Sequence, residues 1–342
     1  MTEYLSTKIK LFSFISILMV IFIHTYYIEG MAYPTVRFLQ NFVGNGLCRV
    51  AVPFFFAISG YLFYYNIDYR DNSIILKIRK RIKTLVLPYI FWNILFELFF
   101  FVLYIIPQAQ KFVNSNIIER LRDQSLWDSF VMIFWEPAGF HLWFLRDLIL
   151  IVALTPLLYF FLKRIPLIFV LFSFLICFIL EYNFLKSIAW FLLGAFWNFI
   201  TIKKNLYDNK YIIFISLILF LYYLVICVLI GLEISVSHNF RFTALISGVI
   251  SIWLIFDFLP PKALLFKVIN YCSAYSFFIY CFHEPTLNIF KKLPVFFLSG
   301  SSILYITSYL LVPFIMSGFA IVLGSLLKNK FSPIYNILTG GR

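Results

Sequence analysis

The chain has 342 residues, 63% of them hydrophobic, with 28 basic and 15 acidic side chains and a formal net charge of +13. Soluble domains are roughly 45–50% apolar and about 25% charged, so too few polar residues remain here to coat a water-soluble fold. The same figures exclude disordered, collagen-like and disulfide-scaffold chains, and mean hydropathy is +0.94; an all-α polytopic membrane protein is expected.

Taken in chain order, the first apolar run, Leu11–Ile28, follows Lys8 and Lys10 as the core of a signal peptide would. No small-residue cleavage site follows it and His24 lies inside it, so a retained first helix is expected. Spanning a bilayer core takes roughly 20 helical residues. Apolar runs bounded by charges, Pro or Gly-Asn clusters give about ten spans, near 11–29, 47–65, 84–106, 142–162, 165–182, 184–202, 211–231, 239–259, 268–284 and 303–327. The runs lack the alternation of an outer-membrane barrel, which leaves helices. No repeat, linker or second soluble domain interrupts them, and residues 1–342 are expected to form one integral-membrane domain.

Basic residues orient the chain. With both termini cytoplasmic, eighteen of the 28 bases and five of the 15 acids fall on the inner side. The whole net charge then sits on that face, and the outer side is neutral. The longest segment between spans, about 107–141, lies outside. Its Trp127–Trp135 stretch carries apolar residues at helical spacing, which fits a helix lying in the membrane interface or a surface loop.

Ionisable groups within spans are costly and are functional candidates by default. His24 lies roughly 20 Å along the first helix, in its outer half. A neutral imidazole there can take a proton from a hydroxyl and return it, or it can pack by bonding a neighbouring carbonyl. His141 opens span four, His238 and Arg241 open span eight, and His283-Glu284 closes span nine. All four histidines are therefore outer-sided, together with Glu29, Glu136, Arg146, Asp147 and Glu181. Such a polar cluster predicts a cavity lined by several helices; helix-end anchoring is the plainer reading, and it suits Glu181 and Glu233 best.

On the inner side, Arg79-Lys80-Arg81 stands at the entry of span three. The run obeys the positive-inside rule, and its guanidinium groups also suit an anionic phosphate donor. A nucleic acid is excluded as a partner, because the patch is small and pressed against lipid head groups. Cys48, Cys177, Cys227, Cys272 and Cys281 are scattered within apolar runs, which speaks for inert thiols over disulfides or a metal site.

Five stretches resemble the acyltransferase type 3 family of bacterial membrane O-acyltransferases. They are Phe12–His24, with its terminal histidine; Val52-Pro-Phe-Phe-Phe-Ala-Ile-Ser-Gly-Tyr61; Arg79–Pro88; Phe140-His-Leu-Trp-Phe-Leu145; and Ser276–Pro285. They occur in order across about residues 10–327. The family usually has a basic residue eleven positions before the first-helix histidine; here Ser13 stands there, with Lys10 one turn earlier.

The resemblance implies transfer of an acyl group, commonly acetyl, from cytoplasmic acetyl-CoA to a hydroxyl of a cell-surface or exported glycan. It further implies a stand-alone form without a fused extracytoplasmic domain, in the bacterial inner membrane. His24 would act as general base or transient acyl carrier, supported by Glu29, His141, His283 or Glu284. Arg79, Lys80 and Arg81 would hold the donor. Trp143 and Arg241 would meet the acceptor, aromatic faces suiting sugar rings. Partners expected are acyl-CoA, a glycan or lipid-linked glycan and membrane lipids, with no permanently bound cofactor and no metal. Ser59-Gly60 is assigned to close helix packing. A flippase would show paired broken helices in two halves, and none is seen; a glycan polymerase would need Arg-rich outer loops, whereas 107–141 holds only Arg120 and Arg122.

Overall fold

The computed structural model describes residues 1–67, 73–106, 125–198, 210–258, 263–297 and 300–341. Every regular element among them is helical. Seven helices are long and apolar enough to cross a membrane: α1 (Glu3–His24), α2 (Pro34–Tyr64), α3 (Ser73–Ile105), α5 (Phe140–Arg164), α8 (Tyr211–Gly231), α9 (His238–Phe258) and α12 (Ser302–Lys330). Between and after them run the shorter α4 (Leu126–Phe134), α6 (Pro166–Ile179), α7 (Asn183–Phe196), α10 (Ala263–Ser273), α11 (Ser276–Phe297) and α13 (Ser332–Thr339).

Seven of the ten expected spans thus meet a full-length criterion. Spans five and six appear as α6 and α7, each 14 residues, or about 21 Å of helix. Span nine is broken between α10 and α11, and again within α11 at Glu284. Three helices begin earlier than expected: α1 starts at Glu3 and ends at His24, against 11–29. α2 starts at Pro34, so the presumed outer loop before residue 47 is helical, with a π-turn at Asn41–Gly46. α3 starts at Ser73, so Arg79-Lys80-Arg81 sit on a helix. Of the expected inner-face bases, Arg70, Lys203, Lys204, Lys262 and Arg342 lie outside the described residues, as do Arg120 and Arg122.

The outward faces are apolar: Leu217, Ile218 and Leu221 of α8 are 47%, 50% and 60% exposed. Exposed leucine and isoleucine at that density fit lipid and not water. The chain is a membrane protein.

Contacts divide it into two compact units, Met1–Ile67 with Leu157–Val322, and Asp68–Pro156 with Leu323–Arg342. In the first, α2 and α7 cross at backbone contact. A Cβ on Gly60 would come 1.9 Å from the Phe191 carbonyl oxygen, and one on Gly194 would come 1.7 Å from that of Ala57. Small residues allow this approach, as expected for helix pairs in lipid. The π-turn of α2 loosens its carbonyls at Gly46 and Leu47; the Tyr223 hydroxyl of α8 bonds them at 3.1 and 3.0 Å. In a bilayer such groups have no water to turn to.

Near its start α1 is tied to the end of α9. Lys8 Nζ donates to Asp257 Oδ1 at 2.6 Å and to the Trp253 carbonyl at 2.7 Å, 4.0 Å above the Trp253 ring. The Tyr4 hydroxyl also donates to Asp257. Both charged side chains are under 5% exposed. Breaking such a pair strands a buried charge at a cost of about 3–5 kcal/mol, whereas an apolar replacement of both partners is tolerated. Lys8→Met should therefore unfold at markedly lower temperature in detergent, and Lys8→Met/Asp257→Leu should recover most of the loss. A double variant as unstable as the single would show that the pair itself is not the source.

In the second unit, Trp92 Nε1 of α3 donates to the Leu338 carbonyl of α13 at 2.9 Å. α13 ends at Gly340, whose φ of +68° and approach to Thr84 backbone exclude a side chain. α4 opens with a reciprocal cap between Ser125 and Asp128. Trp127, Phe130 and Phe134 form an exposed apolar stripe at helical spacing. Of the two readings of this stretch, helix or surface loop, the structure has a helix at Leu126–Phe134.

Candidate active site

α1 ends at His24 because Thr25 turns out of helical geometry and caps it, with Thr25 Oγ1 bonded to the Ile21 carbonyl at 2.7 Å. The last carbonyls of a helix have no intrahelical donor. That of His24 accepts from Lys291 Nζ of α11 at 3.1 Å. The histidine and a lysine far along the chain are thus fixed together.

His283 faces the same place. Its ring centroid lies 5.5 Å from that of His24, with the planes inclined by 35°. Pro285 supplies no N–H to the turn behind it, and Glu284 before it is pushed to extended geometry, φ −107° and ψ 140°. The helix breaks there. His283 is fully buried, and its Nδ1 lies 2.6 Å from the Tyr280 carbonyl oxygen. A carbonyl can only accept, so Nδ1 carries the proton and Nε2 keeps the lone pair. Glu284 is buried too and accepts from Asn288 Nδ2 at 3.0 Å. Glu29 is exposed, in a short 3₁₀ turn after α1. Both carboxylates act electrostatically on Lys291.

The same unit contains a cavity of about 600 Å³, lined by residues of α2, α7, α8 and α9 that include Arg49, Lys186 and Arg241. Arg49 and Lys291 are the cations whose fields reach His24. Arg49 belongs to a stripe of four polar residues on α2, Arg37, Asn41, Asn45 and Arg49, each four residues after the last. Such positions share one helix face. They bond in sequence. Arg49 donates to Asn45, Asn45 Nδ2 to Asn41 Oδ1 at 2.9 Å, and Asn41 Nδ2 to Glu233 Oε1 at 3.2 Å; Arg37 pairs with Glu233 Oε2 at 3.2 Å.

His141, Trp143 and Arg79–Arg81 belong to the second unit. His141 is buried on the 3₁₀ turn that opens α5, edge-on to Phe96 at 5.4 Å. Trp143 is half-buried one position inside the helix proper. Arg146 pairs with Asp147 at 2.8 Å and donates to the Trp135 carbonyl. Arg79 and Lys80 are exposed and Arg81 is half-buried, on the last turn of a helix. Residues two apart on a helix do not face each other, so Arg79 and Arg81 reach different sides, and Arg81 shares its face with Lys77.

A family model described as an acyltransferase domain matches residues 8–328. The chain belongs to the acyltransferase type 3 family. A curated relative, the succinoglycan biosynthesis protein ExoH of Rhizobium meliloti (strain 1021), is 26% identical over 362 residues, covering 100% of this chain and 94% of that protein. No solved structure matches.

Within this acyltransferase, sequence reasoning named His24, His283, Glu284 and Arg241 but missed Arg49 and Lys291. The spacing of Arg37, Asn41, Asn45 and Arg49 was a readable signal, hidden by taking residues before 47 as a loop. Lys8, not Lys10, is the buried base of α1, while Lys10 is exposed. At about 100° per residue Ser13 lies within roughly 20° of the His24 face and Lys8 about 160° away. Lys8 therefore does not take the place of the family's basic residue; Ser13 bonds the Ile9 carbonyl at 2.8 Å.

Proposed function

We propose that this protein moves an acyl group, acetyl in the simplest case, from cytoplasmic acyl-CoA to a hydroxyl of a cell-surface or exported polysaccharide, from the bacterial inner membrane. Family membership supplies the reaction class. The observation that supports the residue assignment is the His24–His283 pair, its rings 5.5 Å apart. His24 takes the proton of the acceptor hydroxyl as its oxygen attacks the thioester carbonyl. The C–S bond breaks, and the proton passes to the departing CoA thiolate. Lys291 holds the His24 backbone through its carbonyl, and the Tyr280 carbonyl on Nδ1 fixes the His283 ring. Arg241 meets the acceptor.

Arg79, Lys80 and Arg81 contact the donor phosphates. Because Arg79 and Arg81 point to different sides of the helix, they suit separate phosphate groups and not one shared oxyanion. The reading is tested with membranes carrying the protein, labelled acetyl-CoA and the host polysaccharide: alkali-labile label should enter the glycan. Arg79→Glu/Arg81→Glu should raise the acetyl-CoA concentration for half-maximal rate about tenfold or more, since charge-assisted bonds contribute about 1.5–3 kcal/mol each. An unchanged dependence would remove these residues from the donor site.

A further inference from the structure

The cation-lined cavity is more specific than a sugar pocket requires. Its volume, about 600 Å³, lies within the roughly 300–1,000 Å³ of ligand sites. Arg49, Lys186 and Arg241 line it against one carboxylate, Glu233, and that carboxylate is already engaged by Arg37 and Asn41. Both side chains are exposed, and guanidinium groups lining one cavity focus a positive field that favours an anion between them. Both guanidinium groups are held in place by one bond each, Arg49 to Asn45 and Arg241 Nε to the Val236 carbonyl at 3.1 Å, which leaves further N–H donors on each fork. His238 also lines the cavity, and its Nε2 is buried with no hydrogen-bond partner among the described residues.

We propose that this cavity is an acceptor subsite for a carboxylate-bearing sugar, the carboxylate lying between Arg49 and Arg241. A carboxylate matches the planar guanidinium fork, and Asn41, Asn45 and His238 offer partners for ring hydroxyls. Arg49 also links the subsite to the reacting centre, since its charge reaches His24. An acidic residue of the glycan held there brings a neighbouring hydroxyl within range of the imidazole. The inference rests on the O-acyltransferase reading and adds the charge class of its acceptor.

The test is direct binding to the purified full-length protein in nanodiscs, with trigalacturonate as the acidic probe and maltotriose as the neutral one. Trigalacturonate should bind at least tenfold more tightly than maltotriose. Arg49→Gln and Arg241→Gln should each weaken it tenfold or more. Glu233→Gln, which removes the competing carboxylate, should tighten it, a change that a damaged fold would not produce. Equal binding of the two probes, or acidic binding indifferent to all three substitutions, overturns the proposal. His24→Ala separates the two levels: it should keep trigalacturonate binding while losing glycan acylation. If acylation survives that substitution, the enzymatic assignment fails and the subsite does not.

Discussion

His24→Ala lowers acyl transfer by about 10²–10⁴-fold, the usual worth of a positioned general base, without loss of folded protein. The side chain ends α1 and is only partly buried, while its backbone carbonyl, which receives Lys291, is kept by alanine. In the proposed reading other residues hold the donor, so the loss should fall on kcat and leave the acyl-CoA requirement nearly unchanged. His283→Ala should also lower the rate, by a smaller factor, because it removes the neighbouring ring and not the base. A His24→Ala protein acylating within twofold of wild type would remove this histidine from the chemistry.

Gly194→Ala lowers stability by about 3 kcal/mol or more, the upper range for forcing a methyl into a packed interior. The added carbon would sit 1.7 Å from the Ala57 carbonyl oxygen, and Gly60→Ala would meet Phe191 backbone at 1.9 Å. Neither obstacle is the end of a flexible side chain, so α2 and α7 must separate. Thermal unfolding in detergent should begin several degrees lower and yield should fall. Gly318→Ala in α12 is the control: nothing lies within 4 Å of its added carbon, and its melting should not fall. If Gly194→Ala melts with the control, the close crossing of α2 and α7 does not hold the first unit together.

Much of the fold was legible because the bilayer simplifies the code. Apolar length marks a span, and α5, α8, α9 and α12 follow the expected runs closely. The expectation weakened where polar groups enter a helix. Residues 34–46 contain Arg37, Gln40, two asparagines and two glycines, which reads as a loop. They are helical because Glu233, Tyr27 and Tyr223 satisfy their polar groups from other segments. A satisfied polar stripe of that kind is invisible to hydropathy. Spans five, six and nine differ for a local reason: Pro166, the Tyr182-Asn183 break and Glu284-Pro285 shorten or split runs whose composition alone looks continuous.

The site was legible as a list and not as an arrangement. His24 and His283 stand out as polar groups inside apolar runs, but periodicity within a helix reports its face and never its neighbour. Their pairing depends on α11 breaking at Glu284 beside the end of α1. Lys291, bonded to the His24 carbonyl, and Arg49, at the end of the polar stripe on α2, were not singled out by the sequence. Which of Lys8 and Lys10 is buried follows only from the packing of α9 against α1.

The central claim, acyl transfer to a surface glycan, is tested most directly by mass spectrometry of that glycan in a deletion strain complemented with wild type or with His24→Ala. The account predicts ester-linked acyl groups with the wild-type gene only, on glycan of unchanged chain length. Acyl content restored equally by His24→Ala, or unaltered by the deletion with glycan that is short or absent, would contradict it.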